Sequence, residues 1–521
     1  MPEHLKALVV ILGLASVVFW LAERPLCALT TALPEYRRRR NLWFAITLIG
    51  FLSHNFWLFI VLTGALLAVT NSRERNPLAL YCLLLFALPP YDKSIPGFGV
   101  INYFVDMNYV RLLNLVILLP AALRQMNERD EHVSTSRLAD MMVAAYLVYR
   151  FVVQAMVDSI TGDMRAVFYL LVDIWLPYFV ASRVLRDMAA FREAAAAFVL
   201  AVAVMAAIAV FEVARSWLVY TSLRLPFEVG MDDLSVYILR GEGGLLRANV
   251  AVGNSIVLGY VMMVAISLMI FVAPSLQPRS MKTLGVACLF AGLVAALSRG
   301  PWVGTAAALV VGLGLGPGGA TRMLRAIGIG GLLFAGMLLS PYGDAIIDHL
   351  PFVGTVDEGS VTYRQRLFEV SMAVLWQNPT FGAFDYILNP AMEQMRQGQG
   401  IIDIVNTYLA IALAYGLVGM TLFVFPFAYA VISVYRTVGH ATAYDAEADR
   451  LRRALLAVMV GILVTIGTVS SISVVPTVYW LMLGLCTAFA RTSSTPTPPM
   501  TTTAAPAIDP RTLRAYPRTT A

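Results

Sequence analysis

"GQGIIDIVNTYLAIALAYGLVG", Gly398 to Gly419, runs from polar and acidic residues straight into an apolar stretch at helical spacing. A spanning helix needs about 20 mostly apolar residues, and the residues from Thr407 onward suit one, with Asp403 and Asn406 at its mouth. The rest of the chain agrees. Of its 521 residues, 59% are hydrophobic and 13% charged, with a mean hydropathy of +0.73, whereas soluble domains carry roughly 25% charged residues. An integral membrane protein follows. The acid and the amide at the helix mouth then need a reason.

Apolar runs recur near 7–22, 42–70, 78–90, 108–123, 138–157, 165–182, 193–214, 250–273, 284–298, 302–316, 322–341, 412–435, 454–471 and 473–490. The 42–70 run is long enough for one tilted helix or for two short ones hinged at Ser53-His54-Asn55. These runs predict an all-α, polytopic transmembrane helical bundle of about 12 to 15 spans. The first run lacks a small-residue cleavage site and reads as the first span, not a cleaved signal.

Lys and Arg in short connections set orientation. The stretches 36–41, 71–76, 124–137, 183–192, 277–282, 321–325 and 436–453 carry the arginines and lysines of an inner face. That places 91–107, 158–164, 215–249 and 342–403 outside. The expected organisation is 1–341, N-terminal spans with short loops and the outer loop 215–249; 342–403, a large outer loop containing short helices; 404–491, C-terminal spans; and 492–521, a Thr/Pro/Ala-rich, disordered tail on the inner side. The net charge of +6 is accounted for by these inner loops, which leaves nothing to indicate nucleic-acid binding. Cys27, Cys82, Cys288 and Cys486 are scattered without paired spacing, so neither a disulfide framework nor a metal site is indicated.

Arginines on the outer side run against the positive-inside bias. Arg364 and Arg366 precede Phe368, Met372, Leu375 and Trp376, which recur at helical spacing and predict an amphipathic helix lying along the membrane surface, its apolar stripe used for packing, ended by Asn378-Pro379. Such cations contact either lipid headgroups and Asp357/Glu358, or an anionic ligand. In "AALSRGPWVG" Arg299 stands at an outer boundary where Gly300-Pro301 is expected to break the helix and expose backbone donors. Arg247 precedes the next span, also outside. The planar guanidinium fork matches phosphate oxygens, so arginines from separate loops suit one phosphate-rich ligand.

"LSRGPWVG" (297–304), "YRQRLFEVSMAVLWQNPTFGAF" (363–384) and "IVNTYLAIALAYGLVG" (404–419) together resemble the three ordered motifs of the O-antigen ligase and O-antigen polymerase superfamily of bacterial inner-membrane enzymes. The resemblance covers about 240 to 490. It implies a multi-pass glycosyltransferase of the bacterial inner membrane whose periplasmic loop covers the site. Its substrates would be a polyprenyl-diphosphate-linked glycan and an acceptor glycan among membrane lipids. Neither metal, nucleotide sugar nor other cofactor is implied. Polysaccharide export and chain-length proteins are implied partners. Ligases of this superfamily carry His-Asn where this chain has Val405-Asn406, and an acid where Ala414 stands. His349 is the only histidine in the outer loop, and its spacing ties it to nothing. The approach "EQMRQGQGIID" is more similar to the branch that polymerises exopolysaccharide repeat units, the xanthan type, than to ligases.

Breaking a glycosyl diphosphate leaves a pyrophosphate whose charge preorganised arginines stabilise. The resemblance puts Arg299 and Arg364 in that role by position; Arg366 and Arg247, as outward arginines, are further candidates, and Arg396, Gln399 and Asn406 at the helix mouth are candidate substrate contacts. The acceptor hydroxyl needs a base, for which Asp403 is the first candidate and Glu393 the second. Asp403 also fits a plainer role, as an acid favoured by the helix N-terminus. Asp173, Glu212 and Arg150 lie inside or near the ends of spans and ask for partners. They suit buried ion pairs, or else the solute path of a transporter or flippase of lipid-linked sugars. The chain has no internal repeat of the transporter kind.

Overall fold

The long apolar run at 42–70 folds as two helices, and Asn55 is the reason. Its side chain accepts the N–H of Trp57 at 2.7 Å and of Leu58 at 3.4 Å, capping the second helix where Ser53 has already turned extended. The computed structural model describes residues 2–29, 32–99, 101–127, 137–228, 246–316, 318–338, 358–396, 401–437 and 446–494. Most of the expected tail 492–521, Gln399, His349, Asp357, the stretch 342–357 and the middle of the outer loop 215–249 lie outside those residues.

The described chain is overwhelmingly helical. In order run α1 (Glu3–Leu29), α2 (Leu33–Leu52), α3 (Phe56–Asn71) and α4 (Pro77–Leu84), then a hairpin of β1 (Lys93–Pro96) and β2 (Tyr103–Met107). There follow α5 (Tyr109–Asn127), α6 (Arg137–Ala155), α7 (Ile160–Val184), α8 (Met188–Arg215) and α9 (Ser255–Ser275). The C-terminal half comprises α10 (Arg279–Ala295), α11 (Arg299–Gly314), α12 (Gly319–Leu338), α13 (Glu358–Leu375), α14 (Thr407–Arg436), α15 (Ala446–Ile466) and α16 (Val475–Ser494). Among the described residues, seven helices are long and apolar enough to cross a membrane: α1, α5, α6, α7, α8, α9 and α14. The expected all-α polytopic bundle is borne out, with the antiparallel hairpin as its one small β element among the described residues.

The most enclosed span is α9, which packs against α8, α10, α11 and α15. Small residues set these approaches. A Cβ on Gly259 would stand 2.9 Å from the Pro301 ring. One on Gly304 would stand 1.9 Å from Thr465 Oγ1 and 3.0 Å from the Gly461 carbonyl. Helices α11 and α15 therefore run in near backbone contact, and that contact fixes the outer end of α11.

The two ends of the bundle are polar in different ways. At the end bearing the basic connections, Arg39 is 4% exposed and reaches Glu74 at 2.6 Å and Glu193 at 2.8 Å. There Arg40 pairs with Glu23 at 3.0 Å, Arg183 with Asp140 at 2.6 Å, and Arg192 with Glu447. At the other end stand the hairpin, the 246–254 segment, α13 and the 467–474 connection.

Two expectations need correction. The break before α11 falls at Leu297, whose φ of 44° turns the chain, and Pro301 sits inside the first turn, where its missing N–H costs nothing. On α13 the buried face is Leu367, Ser371, Val374 and Leu375, packed on Met392, Met395, Ile404 and Leu413. Phe368 and Trp376, expected on the packed stripe, are 55% and 64% exposed. Helix α13 packs on the rest of the loop and on α14, so its buried stripe is rotated towards them.

Candidate functional site

The connection between α15 and α16, "GTVSSISV" at 467–474, is short and rich in hydroxyls. Ser470 Oγ donates to Asp403 Oδ1 at 2.8 Å. Thr407 donates its N–H at 3.1 Å and its hydroxyl at 2.7 Å to the Val469 carbonyl, and Ser471 donates to Thr407 Oγ1 at 3.1 Å. On the far side, Ser473 Oγ donates to the Val252 carbonyl at 3.1 Å. A Cβ on Gly300 would stand 2.2 Å from Thr468 Oγ1. Asp403 and Gly300, the residue after Arg299, thus flank the same few residues, 468–470.

Helix α13 joins from above. The Tyr363 hydroxyl donates to the Asp403 carbonyl at 3.1 Å, and Arg364, the next residue, is exposed at the edge. Arg247 is half-buried beside Ala248, whose N–H donates to the Ala295 carbonyl at 3.1 Å. That bond holds the 246–253 segment against the end of α10, four residues ahead of Arg299.

The remaining candidates are placed differently. Asn406 caps α14, its Oδ1 accepting the N–H of Leu409 at 3.1 Å, so the helix cap is Asn406 and Asp403 is turned to Ser470 instead. Arg366 donates to Gln394 at 3.1 Å on the exposed side. Glu393 is exposed and accepts two hydrogen bonds from Arg396, at 2.6 and 2.8 Å. The hydrogen bond from Arg396 holds the Glu393 carboxyl below its usual range, which weakens it as a proton acceptor. Of the two carboxylates, the structure brings only Asp403 to the serine connection. Thr468, Ser470, Ser471 and Ser473 were not singled out in the sequence, although a cluster of hydroxyls between two apolar runs is a readable signal.

Helix α14 is interrupted. Gly416 has φ 67° and ψ −173° inside it, and the outer loop docks into the gap. Ala383 donates its N–H to the Leu413 carbonyl at 2.8 Å. In return Leu417 donates to the Pro379 carbonyl at 2.8 Å and Val418 to that of Thr380 at 3.3 Å. Backbone groups freed by the break are thus paired by the loop, as membrane depth demands. The contact leaves no room for side chains: a Cβ on Gly416 would lie 2.1 Å from the Thr380 oxygen, and one on Gly382 2.4 Å from the Gly416 nitrogen.

The intramembrane charges have partners. Arg111 holds Asp173 through Nε at 3.0 Å and Nη2 at 2.8 Å. Glu212 accepts backbone N–H groups from Val219, Asn249 and Val250 at 3.1, 2.9 and 3.0 Å. Arg150 donates to the Tyr415 hydroxyl at 2.9 Å, just ahead of the break in α14. Among the described residues, no group of His, Cys, Asp and Glu is arranged to hold a metal ion.

These features define a polytopic helical membrane protein with a carboxylate and a cluster of hydroxyls brought together at one end. Residues 284–424 match the family model described as O-Antigen ligase, and this match supports the resemblance to the O-antigen ligase and polymerase superfamily. The match spans α10 through the broken part of α14 and includes Arg299, Arg364 and Asp403. The superfamily carries out glycan transfer, with a lipid-linked glycan and an acceptor as substrates. No curated protein matches the chain.

Proposed function

We propose that this chain polymerises repeat units of an exopolysaccharide or O-antigen at the periplasmic face of the bacterial inner membrane, without a metal. The observation that carries the reading is the Asp403 carboxylate held by Ser470 on one side of the 468–470 stretch whose other side abuts the start of α11. An acceptor hydroxyl attacks C1 of the donor sugar and gives its proton to Asp403. The C1–O bond to the diphosphate breaks, and polyprenyl diphosphate leaves towards Arg299 and Arg364, with Arg247 behind them. Val405, standing where ligases carry histidine, favours polymerisation over ligation to a lipid or protein acceptor. The partners of intramembrane charges favour transfer over transport, because each charge is engaged within the fold.

Deleting the gene should abolish high-mass surface polysaccharide and leave single lipid-linked repeat units, read by gel profile and by mass spectrometry of extracted carrier lipids. Accumulation of long carrier-bound chains would instead identify a ligase. Export and chain-length proteins would act downstream of the same product. Arginine geometry matters beyond charge, so Arg299→Lys and Arg364→Lys should each lower polymer yield at least tenfold at unchanged membrane level. Full yield in both would remove these arginines from the site.

A further inference from the structure

The aromatic residues of α13 that the fold leaves uncovered form a line. Arg364, Phe368, Met372 and Trp376 follow at four-residue steps, which stacks them along one flank of the helix. Arg364, Phe368 and Trp376 are exposed and Met372 is half-buried, so the line lies open over about 18 Å, at 1.5 Å per residue. Both of its ends are fixed. At one end Tyr363, the neighbour of Arg364, donates to the Asp403 carbonyl at 3.1 Å. At the other, the chain passes from Trp376 to Pro379 and Thr380, whose carbonyls accept the N–H groups of Leu417 and Val418 at 2.8 and 3.3 Å. Leu417 and Val418 are exposed residues of the membrane-crossing helix α14, and Phe381 is exposed in the docked stretch itself. Exposed apolar residues therefore run from the side of α14, by way of Phe381, Trp376, Met372 and Phe368, to a cation whose neighbour is tied to Asp403.

A row of exposed large apolar side chains marks a surface that something covers, and a cation at the head of the row selects a ligand with an anionic head and a long apolar tail. We propose that this flank of α13 holds the isoprenoid chain of the lipid-linked glycan, with the diphosphate at Arg364 and the chain running over Phe368, Met372 and Trp376 towards α14. The inference rests on the reading that Arg364 meets the diphosphate, and it adds the chain to that site. An unsaturated, methyl-branched chain packs well on aromatic faces and on the pliable thioether of methionine. An ordinary phospholipid has a similar head, but only a substrate has to be led to Asp403, and the track begins at the residue next to the Tyr363 tether. It ends on a membrane-crossing helix, where the remainder of a long chain stays in lipid.

The test measures binding of two radiolabelled diphosphates to the full-length protein in phosphatidylcholine nanodiscs, with empty discs subtracted. A long-chain polyprenyl diphosphate can lie along the whole track, whereas geranyl diphosphate is too short to reach Trp376. Wild type should bind the long chain more tightly. Trp376→Ser should weaken the long-chain probe about tenfold, or about 1.4 kcal/mol, and leave geranyl diphosphate as in wild type. Phe368→Ser should weaken the long-chain probe to a similar degree. Both side chains are exposed, so neither change opens the core. Loss of both probes alike in Trp376→Ser, or of neither, overturns the track. So does displacement of the long-chain probe by an equal amount of phosphatidylglycerol, the result for a face that any anionic lipid covers. The reading of the site fails separately: Arg364→Gln should weaken both probes, and undiminished binding of both removes the arginine, while chain-length dependence at Trp376 decides the track. A wild type that binds neither probe overturns both.

Discussion

Asp403→Asn lowers polymer formation by at least 100-fold, with the protein still present in the membrane, if the acceptor's proton goes to this carboxylate. General-base catalysis contributes about 10²–10⁴-fold, and an amide has no capacity to take the proton. The substitution is otherwise mild. An Asn side-chain oxygen still accepts from Ser470 Oγ, which now donates to Asp403 Oδ1 at 2.8 Å, and the Tyr363 bond goes to the backbone carbonyl and is untouched. Ser470→Ala provides the contrast: it removes the hydrogen bond that aims the carboxylate but leaves the base, so activity falls less than in Asp403→Asn. Polymer yield is measured against protein level in a deletion strain carrying each variant. Normal yield from Asp403→Asn would return the residue to a helix-end acid.

The second large effect is expected at the break in α14. Gly416→Ala places a methyl 2.1 Å from a backbone oxygen, at φ 67° and ψ −173°, a region open essentially to glycine alone. Neither the loop nor the helix can yield, because each pairs the other's backbone groups. A loss of about 3 kcal/mol or more follows, seen as a lower unfolding midpoint in detergent together with lost activity. Gly382→Ala meets the same obstacle from the other side, 2.4 Å from the Gly416 nitrogen. Gly99→Ala is the control: its φ is 66°, but nothing lies within 4 Å of the added carbon, so only the smaller conformational penalty of about 1–2 kcal/mol remains. Equal midpoints for all three variants would show that the docked loop contributes nothing.

The bundle, its family and the helical nature of 358–375 were legible in the sequence because they rest on composition and on helical periodicity, which are local properties. Asn55 announced the split of the 42–70 run for the same reason. The docking of 379–383 into α14 was not legible. It is made of backbone hydrogen bonds between segments thirty or more residues apart, and a glycine within an apolar run reads the same whether it is packed, bent or broken. At the site, Arg299 and Asp403 were named from motif and charge, yet Thr468 and Ser470, against Gly300 and Asp403, were passed over, since hydroxyl residues carry no strong positional signal. The pairing of Glu393 with Arg396 was also hidden, although the spacing of three residues within a helical turn allowed for it. Phe368 and Trp376 were misplaced because a stripe read from one helix alone does not say where its neighbours stand.

The ion pairs at the basic end have a mechanical meaning. Arg39, Arg40, Arg183 and Arg192 tie α1, α2, α3–α4, α6–α8 and α15 to one another through carboxylates carried on different helices. Separating any of these helices there would strand a partly buried charge, a cost the bundle avoids. At the opposite end ion pairs hold the hairpin, Lys93 with Glu228 and Arg111 with Asp92 and Asp173, but around Asp403 the segments are joined by hydroxyl and backbone bonds, which exchange partners at little cost. The molecule is therefore clamped along the basic edge, and at the opposite end its give is confined to the rim of hydroxyl bonds around Asp403, beside the fixed seam of α11 and α15. A bulky lipid-borne glycan would then enter and leave by small splaying of that rim, with no helix shifting at the inner side.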